Sequence, residues 1–214
     1  MFGLVQDGGA AELAVLTAWA PVPSRWTMEQ AAAAGLVSTT AIAGLDALRD
    51  LTGKTVLIEG AAGGVGSAAV EIAIARGASV IGTASPANLG FVRSLGATPV
   101  TYGEGLADRI TELAPQGVDA ALDTAGSGSL ADLVAIVGDA SRVATVADYN
   151  APSLGVTMVM GSANAKANLA VASQLGEAGA YTPRVQSSYP LQNAADAHTH
   201  AQEGHPQGKV VITL

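Results

Sequence analysis

The sequence contains no cysteine, which excludes disulfides, thiolate catalysis and any cysteine-ligated zinc. Aromatic residues are scarce, at 4%, while 49% of residues are hydrophobic, so the core is built from Ala, Val, Leu and Ile. That composition suits close packing of helices on a buried sheet. Positive charge is also sparse. Ten Lys and Arg stand against eighteen Asp and Glu, a formal charge of −8, which leaves no basic stripe for a phosphate backbone and argues against a nucleic-acid partner. No apolar stretch of bilayer-crossing length escapes interruption by Gly, Pro or a charge, and the opening MFGLVQDGGAAEL lacks the basic leader of a secretory signal. A cytoplasmic location without membrane contact is expected. Of the three histidines, His198 and His200 fall on different helical faces and His205 follows Gly204, a poor ligand set, so no metal is expected.

What is present is an alternation of strand and helix signals in a chain of 214 residues, long enough for one core with appendages. Residues 10–20 read as a strand before the prolines at 21 and 23. Thr27 caps a first helix, and a second is expected over 39–51. From Thr55 the pattern runs strand TVLIEG, helix 64–76, strand SVIGTA, helix 86–95, strand TPVTY and helix 106–113. It continues through strand VDAALDTA, helix 130–137, strand SRVATVA and strand VTMVMG. Helix-joined strands imply right-handed crossovers and an α/β fold with a Rossmann-type doubly wound parallel sheet. The tail reads as helix 165–178, a proline-containing loop 181–190, helix 191–203 and a final strand KVVITL.

The chemistry-bearing motif is Gly60-Ala61-Ala62-Gly63-Gly64-Val65-Gly66, directly after the first strand of that alternation. Gly63 and Gly66 fit the last two positions of Gly-x-Gly-x-x-Gly, and Ala61 takes the first, which implies a slightly wider turn. A missing Cβ at Gly63 lets the backbone approach a pyrophosphate, and Gly66 lets the helix pack on the strand. The free N–H groups of the helix start attract the anion. Small residues at a strand-to-helix turn also serve packing alone, but the loop opens the first of several βα units, which favours the dinucleotide reading. At the end of the second strand, the segment Gly82-Thr83-Ala84-Ser85-Pro86-Ala87-Asn88 holds hydroxyls and an amide but no Asp or Glu. An acid there would bond the ribose of NAD, so NADP(H) is the expected cofactor. Arg93 either reaches the cofactor or is a solvated helix charge. Asp123 and Asp148 close strands at the ligand-binding edge, as ribose contacts or as general acid/base candidates. Ser127 and Ser129 have no evident His partner, which argues against a serine hydrolase.

These residues resemble the medium-chain dehydrogenase/reductase superfamily, in its zinc-free quinone-oxidoreductase-like and enoyl-reductase-like branch. The resemblance runs through GKTVLIEGAAGGVGSAAVEIAIARGASVIGTAS, FVRSLGATPVTY, VDAALDTAGSG, SRVATVADY and EGHPQGKVVITL, nearly the whole chain. It implies that Ala61, Ala62, Gly63, Gly64, Val65 and Gly66 bind pyrophosphate. It places Thr83, Ser85 and Asn88 around the adenosine 2′-phosphate and Tyr102 by the adenine end. Thr124, Ala125, Gly126, Val146 and Ala147 would border the ribose and nicotinamide. Family members carry a GroES-like catalytic domain of about a hundred residues ahead of the nucleotide domain. Here only GGAAELAVLTAWAPVPS resembles its closing strands.

The division implied is 1–38 as a catalytic-domain remnant with linker helix, 39–164 as the Rossmann domain, and 165–214 as helices and a strand returning to the catalytic side. Strands AAELAVLTA and KVVITL would then have open edges, pairing with each other, with a second copy, or with a separate chain. In the family, the strand equivalent to VTMVMG commonly pairs across a dimer, so a homodimer is expected. The implied activity is NADPH-dependent hydride transfer to a carbonyl or activated C=C of a small-molecule substrate, with no residue assigned to proton delivery. The alternative is a non-redox member: an NADP(H)- or partner-binding module, or an enzyme reusing the cleft for cyclisation, isomerisation or addition.

Overall fold

Two short strands open the chain in the computed structural model, which describes residues 1–161, 164–202 and 207–214. Strands β1 (Phe2–Val5) and β2 (Leu16–Ala20) are antiparallel, with Phe2 opposite Ala20. Helix α1 (Met28–Ala47) follows, capped reciprocally at Thr27: the Thr27 hydroxyl accepts from the Gln30 N–H, and the Gln30 side chain accepts from the Thr27 N–H. It is one helix of 20 residues rather than the two expected. The Thr39 hydroxyl, read as opening a second helix, instead donates back to the carbonyls of Gly35 and Leu36, and Ser38 donates to Ala34. Both side chains thus serve the interior of a continuous helix.

From Thr55 the expected alternation is present: β3 (Thr55–Glu59), α2 (Gly64–Ala75), β4 (Ser79–Ala84), α3 (Leu89–Ser94), β5 (Thr98–Thr101) and α4 (Leu106–Leu113). Then come β6 (Ala120–Asp123), α5 (Leu130–Val137), β7 (Val143–Thr145) and β8 (Thr157–Met158). These strands form a six-stranded parallel sheet in the order β5-β4-β3-β6-β7-β8. Winding runs outward from β3 to β5 and restarts on the other flank of β3 at β6, which leaves a crevice between the β3 and β6 loops. The chain continues with α6 (Ala165–Glu177), β9 (Val185–Pro190), α7 (Ala194–Gln202) and β10 (Lys209–Thr213). None of the described helices is long and apolar enough to cross a membrane.

The sheet is buried on both faces, which is why β3 reads as an unbroken apolar run. Val56 and Ile58 enter a core shared with Ile42 and Leu45 of α1, Ile72 of α2 and Leu169 of α6. Leu57 enters a second core with Ile110 of α4 and Leu133 of α5.

The edges of the small sheets are arranged differently from the expectation. Strand β2 pairs with β1, and β10 pairs in parallel with β9; the two ends of the chain do not pair with each other. Both partners lay in segments that gave no strand signal. Phe2–Val5 is only four residues long, and residues 181–190, read as a loop, contain an alternately exposed strand ending at Pro190, where a missing N–H costs no ladder bond. Phe2, Trp26 and Tyr181 meet edge to face, with centroids 5.3 and 5.4 Å apart, and the Trp26 indole N–H donates to the Tyr181 carbonyl at 3.1 Å. This contact joins the first strand, the foot of α1 and the C-terminal segment.

Candidate functional site

The glycine turn stands at the carboxyl end of β3, the central position for a ligand on a doubly wound sheet. Gly60 carries the turn at φ +75°, a conformation that disfavours any side chain. The tight-turn role expected at Ala61 therefore belongs to Gly60, one residue earlier, and Ala61 is wholly buried. Thr83 at the end of β4 braces the turn: its hydroxyl accepts from the Gly60 N–H at 3.2 Å and its carbonyl from the Ala61 N–H at 3.0 Å. A Cβ at Gly66 would lie 2.0 Å from the Gly60 carbonyl oxygen, so only glycine lets the first turn of α2 nest against the loop. No side chain caps the start of α2. Its first N–H groups are therefore available to an anion.

Beside the turn lies a cavity of about 470 Å³, lined by Ala62, Gly63, Thr83, Ser85, Asn88, Tyr102, Thr124 and Ala125, all expected from the sequence. Its wall also includes Glu59, Gly60, Ala84 and Ser127, which were not. Of the remaining expected residues, Ala61, Gly64, Val65 and Gly66 support the loop and the helix start behind it. Gly126 lies against Ala147, joining the loops after β6 and β7, and Val146 packs on the core beneath Gly44. These three stand outside the cavity wall. A hollow of similar size, about 490 Å³, opens at the opposite end of the sheet beside Thr55, Ser79 and Pro115. It has no glycine turn and lies at the wrong end of the strands for a doubly wound fold.

The walls are fixed by hydrogen bonds. Arg109 of α4 donates to the carbonyls of Thr101, Gly103 and Glu104 at 2.8–3.2 Å, which holds the turn that carries the half-exposed Tyr102 ring at the rim. Gln207 donates to the Asn88 side chain at 2.7 Å, and the Gly208 N–H donates to the Ala62 carbonyl, so the segment before β10 closes one side. The Lys209 stem passes Gly64. Arg93 is exposed on α3 and has no part in the wall.

Asp123 shapes the β6 loop and is fully engaged. One carboxylate oxygen accepts from the N–H groups of Ala125 and Gly126 at 2.8 and 2.9 Å, and the other accepts from the Thr145 hydroxyl at 2.7 Å. Asp148 accepts from the Asn150 N–H. These bonds give both aspartates a part in holding the loops.

Glu59 is the charged member of the wall. It ends β3, is 3% exposed, and accepts from the hydroxyls of Ser127, at 2.9 Å, and Ser129. Burial pushes its carboxyl above the usual glutamate range, against the pull of the two serines and with the help of Asp123 and Asp132. The signal was legible in principle, as a carboxylate closing an apolar strand directly before a glycine turn. Among the described residues no three His, Asp or Glu side chains gather. His200 meets Tyr189 and Ser187 through Nδ1, and His205 lies outside the described residues.

The family described as zinc-binding dehydrogenase matches residues 95–212. The chain is 34% identical to the polyketide synthase GfsB of Streptomyces halstedii over 97% of its length, which is 4% of that protein. It is 30% identical to the quinone oxidoreductase of Rattus norvegicus, covering 97% of this chain and 70% of that one. The solved structure of an NAD-dependent alcohol dehydrogenase superposes with a TM-score of 0.84 at 28% identity, over 97% of this chain and 65% of the other. The chain thus spans a small part of the synthase and about two thirds of the stand-alone enzymes. It belongs to the medium-chain dehydrogenase/reductase superfamily, as a quinone-oxidoreductase-like member.

Proposed function

We propose that the cleft binds NADP(H) and that the protein is an oxidoreductase delivering hydride to a carbonyl or to an activated C=C bond. The observation that carries the binding reading is the loop from Gly60 to Gly66, where a Cβ would fill the space at Gly66 and the α2 amides have no side-chain cap. In this reading the loop and the start of α2 take the pyrophosphate, Ser85 and Asn88 take the adenosine ribose and its phosphate, and Tyr102 covers the base. Thr124 and Ala125 face the adenosine half of the cleft, and with Gly126, Val146 and Ala147 they border the path on toward the nicotinamide.

NADP(H) is favoured over NAD(H) because β4 ends without an acid: Thr83, Ala84, Ser85 and Asn88 present nothing that repels a 2′-phosphate. The bound nicotinamide supplies the hydride. The chain's own contribution is to fix that ring's direction through the braced loops after β3, β6 and β7. The family relationship, with a quinone oxidoreductase among its relatives, supports a conjugated or carbonyl acceptor. A homodimer joined along β8 belongs to the same reading.

Titration with NADPH and NADH, followed by NADPH oxidation with quinones and enones, tests it. NADPH binding at least about tenfold tighter than NADH, with turnover of an acceptor, is the expected result. Binding without turnover on any acceptor would reduce the reading to a cofactor-binding module, and no binding would remove it.

A further inference from the structure

Four observations converge on this cavity. A half-exposed aromatic ring, Tyr102, stands at the rim after β5, and a small-residue wall, Thr124 and Ala125, stands at the β6 loop. At about 470 Å³, the space lies within the range of small-molecule sites. The carboxyl in this wall, Glu59, is held on both oxygens by serine hydroxyls from the β6 loop. An aromatic face suits a flat ring, and a buried acceptor suits a ring that carries an N–H donor.

We propose that Glu59 selects the base of the bound dinucleotide. Its carboxyl, positioned by Ser127 and Ser129, accepts a hydrogen bond from the exocyclic amine of an adenine ring lodged between Tyr102 and residues 124–127. The inference rests on the dinucleotide reading above and adds to it the group that reads the base. A carboxylate has about four acceptor positions, and the two serines use one on each oxygen, so capacity remains for a donor from the cavity. The acceptor is rigid. Ser129 stands at the start of α5, Ser127 two residues before it, and the Glu59 carbonyl is itself held by the Thr124 N–H and hydroxyl at 3.2 and 2.6 Å. No Lys or Arg lines the cavity among the described residues, so nothing there competes for the carboxylate. A base with an oxygen in place of the amine would set two acceptors against one another in a desolvated site.

The test compares NADPH with its deaminated analogue, reduced nicotinamide hypoxanthine dinucleotide phosphate, in which a carbonyl oxygen replaces that amine and N1 carries a proton. Dissociation constants are measured by fluorescence or calorimetry on the wild-type chain and on Glu59→Gln. The wild type should prefer NADPH by about tenfold or more, and Glu59→Gln, whose amide also donates, should lose most of that preference while still binding. Equal affinity of the wild type for the two dinucleotides overturns the inference, as does a preference that survives in Glu59→Gln. Should the variant not fold, the wild-type pair decides alone. Binding of neither dinucleotide overturns the dinucleotide reading itself and the inference with it, and is distinct from equal binding of both.

Discussion

Gly63 and Gly66 are three residues apart and separable by experiment. A methyl group at Gly66 would collide with the Gly60 carbonyl at 2.0 Å, whereas one at Gly63 would sit 3.4 Å from the same atom. Gly66→Ala should therefore destabilise the fold by about 2 kcal/mol, read as a lower urea midpoint. Gly63→Ala should shift stability by less than about 1 kcal/mol yet weaken NADPH binding, because its methyl group faces the ligand side of the loop. Glu59 gives a second prediction with a defined sign. Its folded carboxyl holds its proton more tightly than the unfolded one, so the folded state loses stability as pH rises from the ordinary glutamate range through the raised value. Glu59→Gln should melt higher than the wild type at pH 8, and the gap should close on acidification into that ordinary range. A gap that widens on acidification would contradict the burial argument. Ser85 and Asn88 were legible as wall residues from the end of the second strand, whereas Tyr102 and Thr124 were legible only through the family resemblance. Gly60 was not, because the Gly-x-Gly-x-x-Gly spacing puts its first position at Ala61, while the left-handed turn falls one residue earlier.

At the scale of elements, legibility followed periodicity and caps. Helices α4 and α5 occupy the expected residues, since each has a clear apolar period and a glycine near an end: Gly105 before α4 and Gly138 after α5. The central strands were legible because burial on both faces leaves continuous Val, Leu, Ile and Ala runs. Three elements were not. Helix α1 looked divided because Ser38 and Thr39 have the residue types of a cap, and only the backward direction of their hydroxyls distinguishes an interior role. Strand β1 depends on β2 and α1 for its burial, and β9 on β10, so neither carries a local pattern strong enough to announce itself.

For the molecule as a whole, the six-stranded sheet has two edges, and the β8 edge has no partner strand among the described residues. Met160, just beyond β8, is 68% exposed. An unpaired edge with an apolar side chain beside it suits pairing with a second copy. Sedimentation or light scattering should report a dimer, and Met160→Asp should shift it toward monomer without lowering the melting temperature of the monomer; a dimer untouched by that change would place the interface elsewhere. The bond from Gln207 to Asn88 spans 119 residues of chain. The glycine turn, in contrast, is closed by the Gly63 N–H on the Gly60 carbonyl and braced by Thr83, only 23 residues on. Closing so long a loop carries an entropic cost, so the bond between Gln207 and Asn88 is expected to form later in refolding than the glycine turn. A dinucleotide added during refolding should then act on that late contact more than on the turn, as a clasp rather than a nucleus.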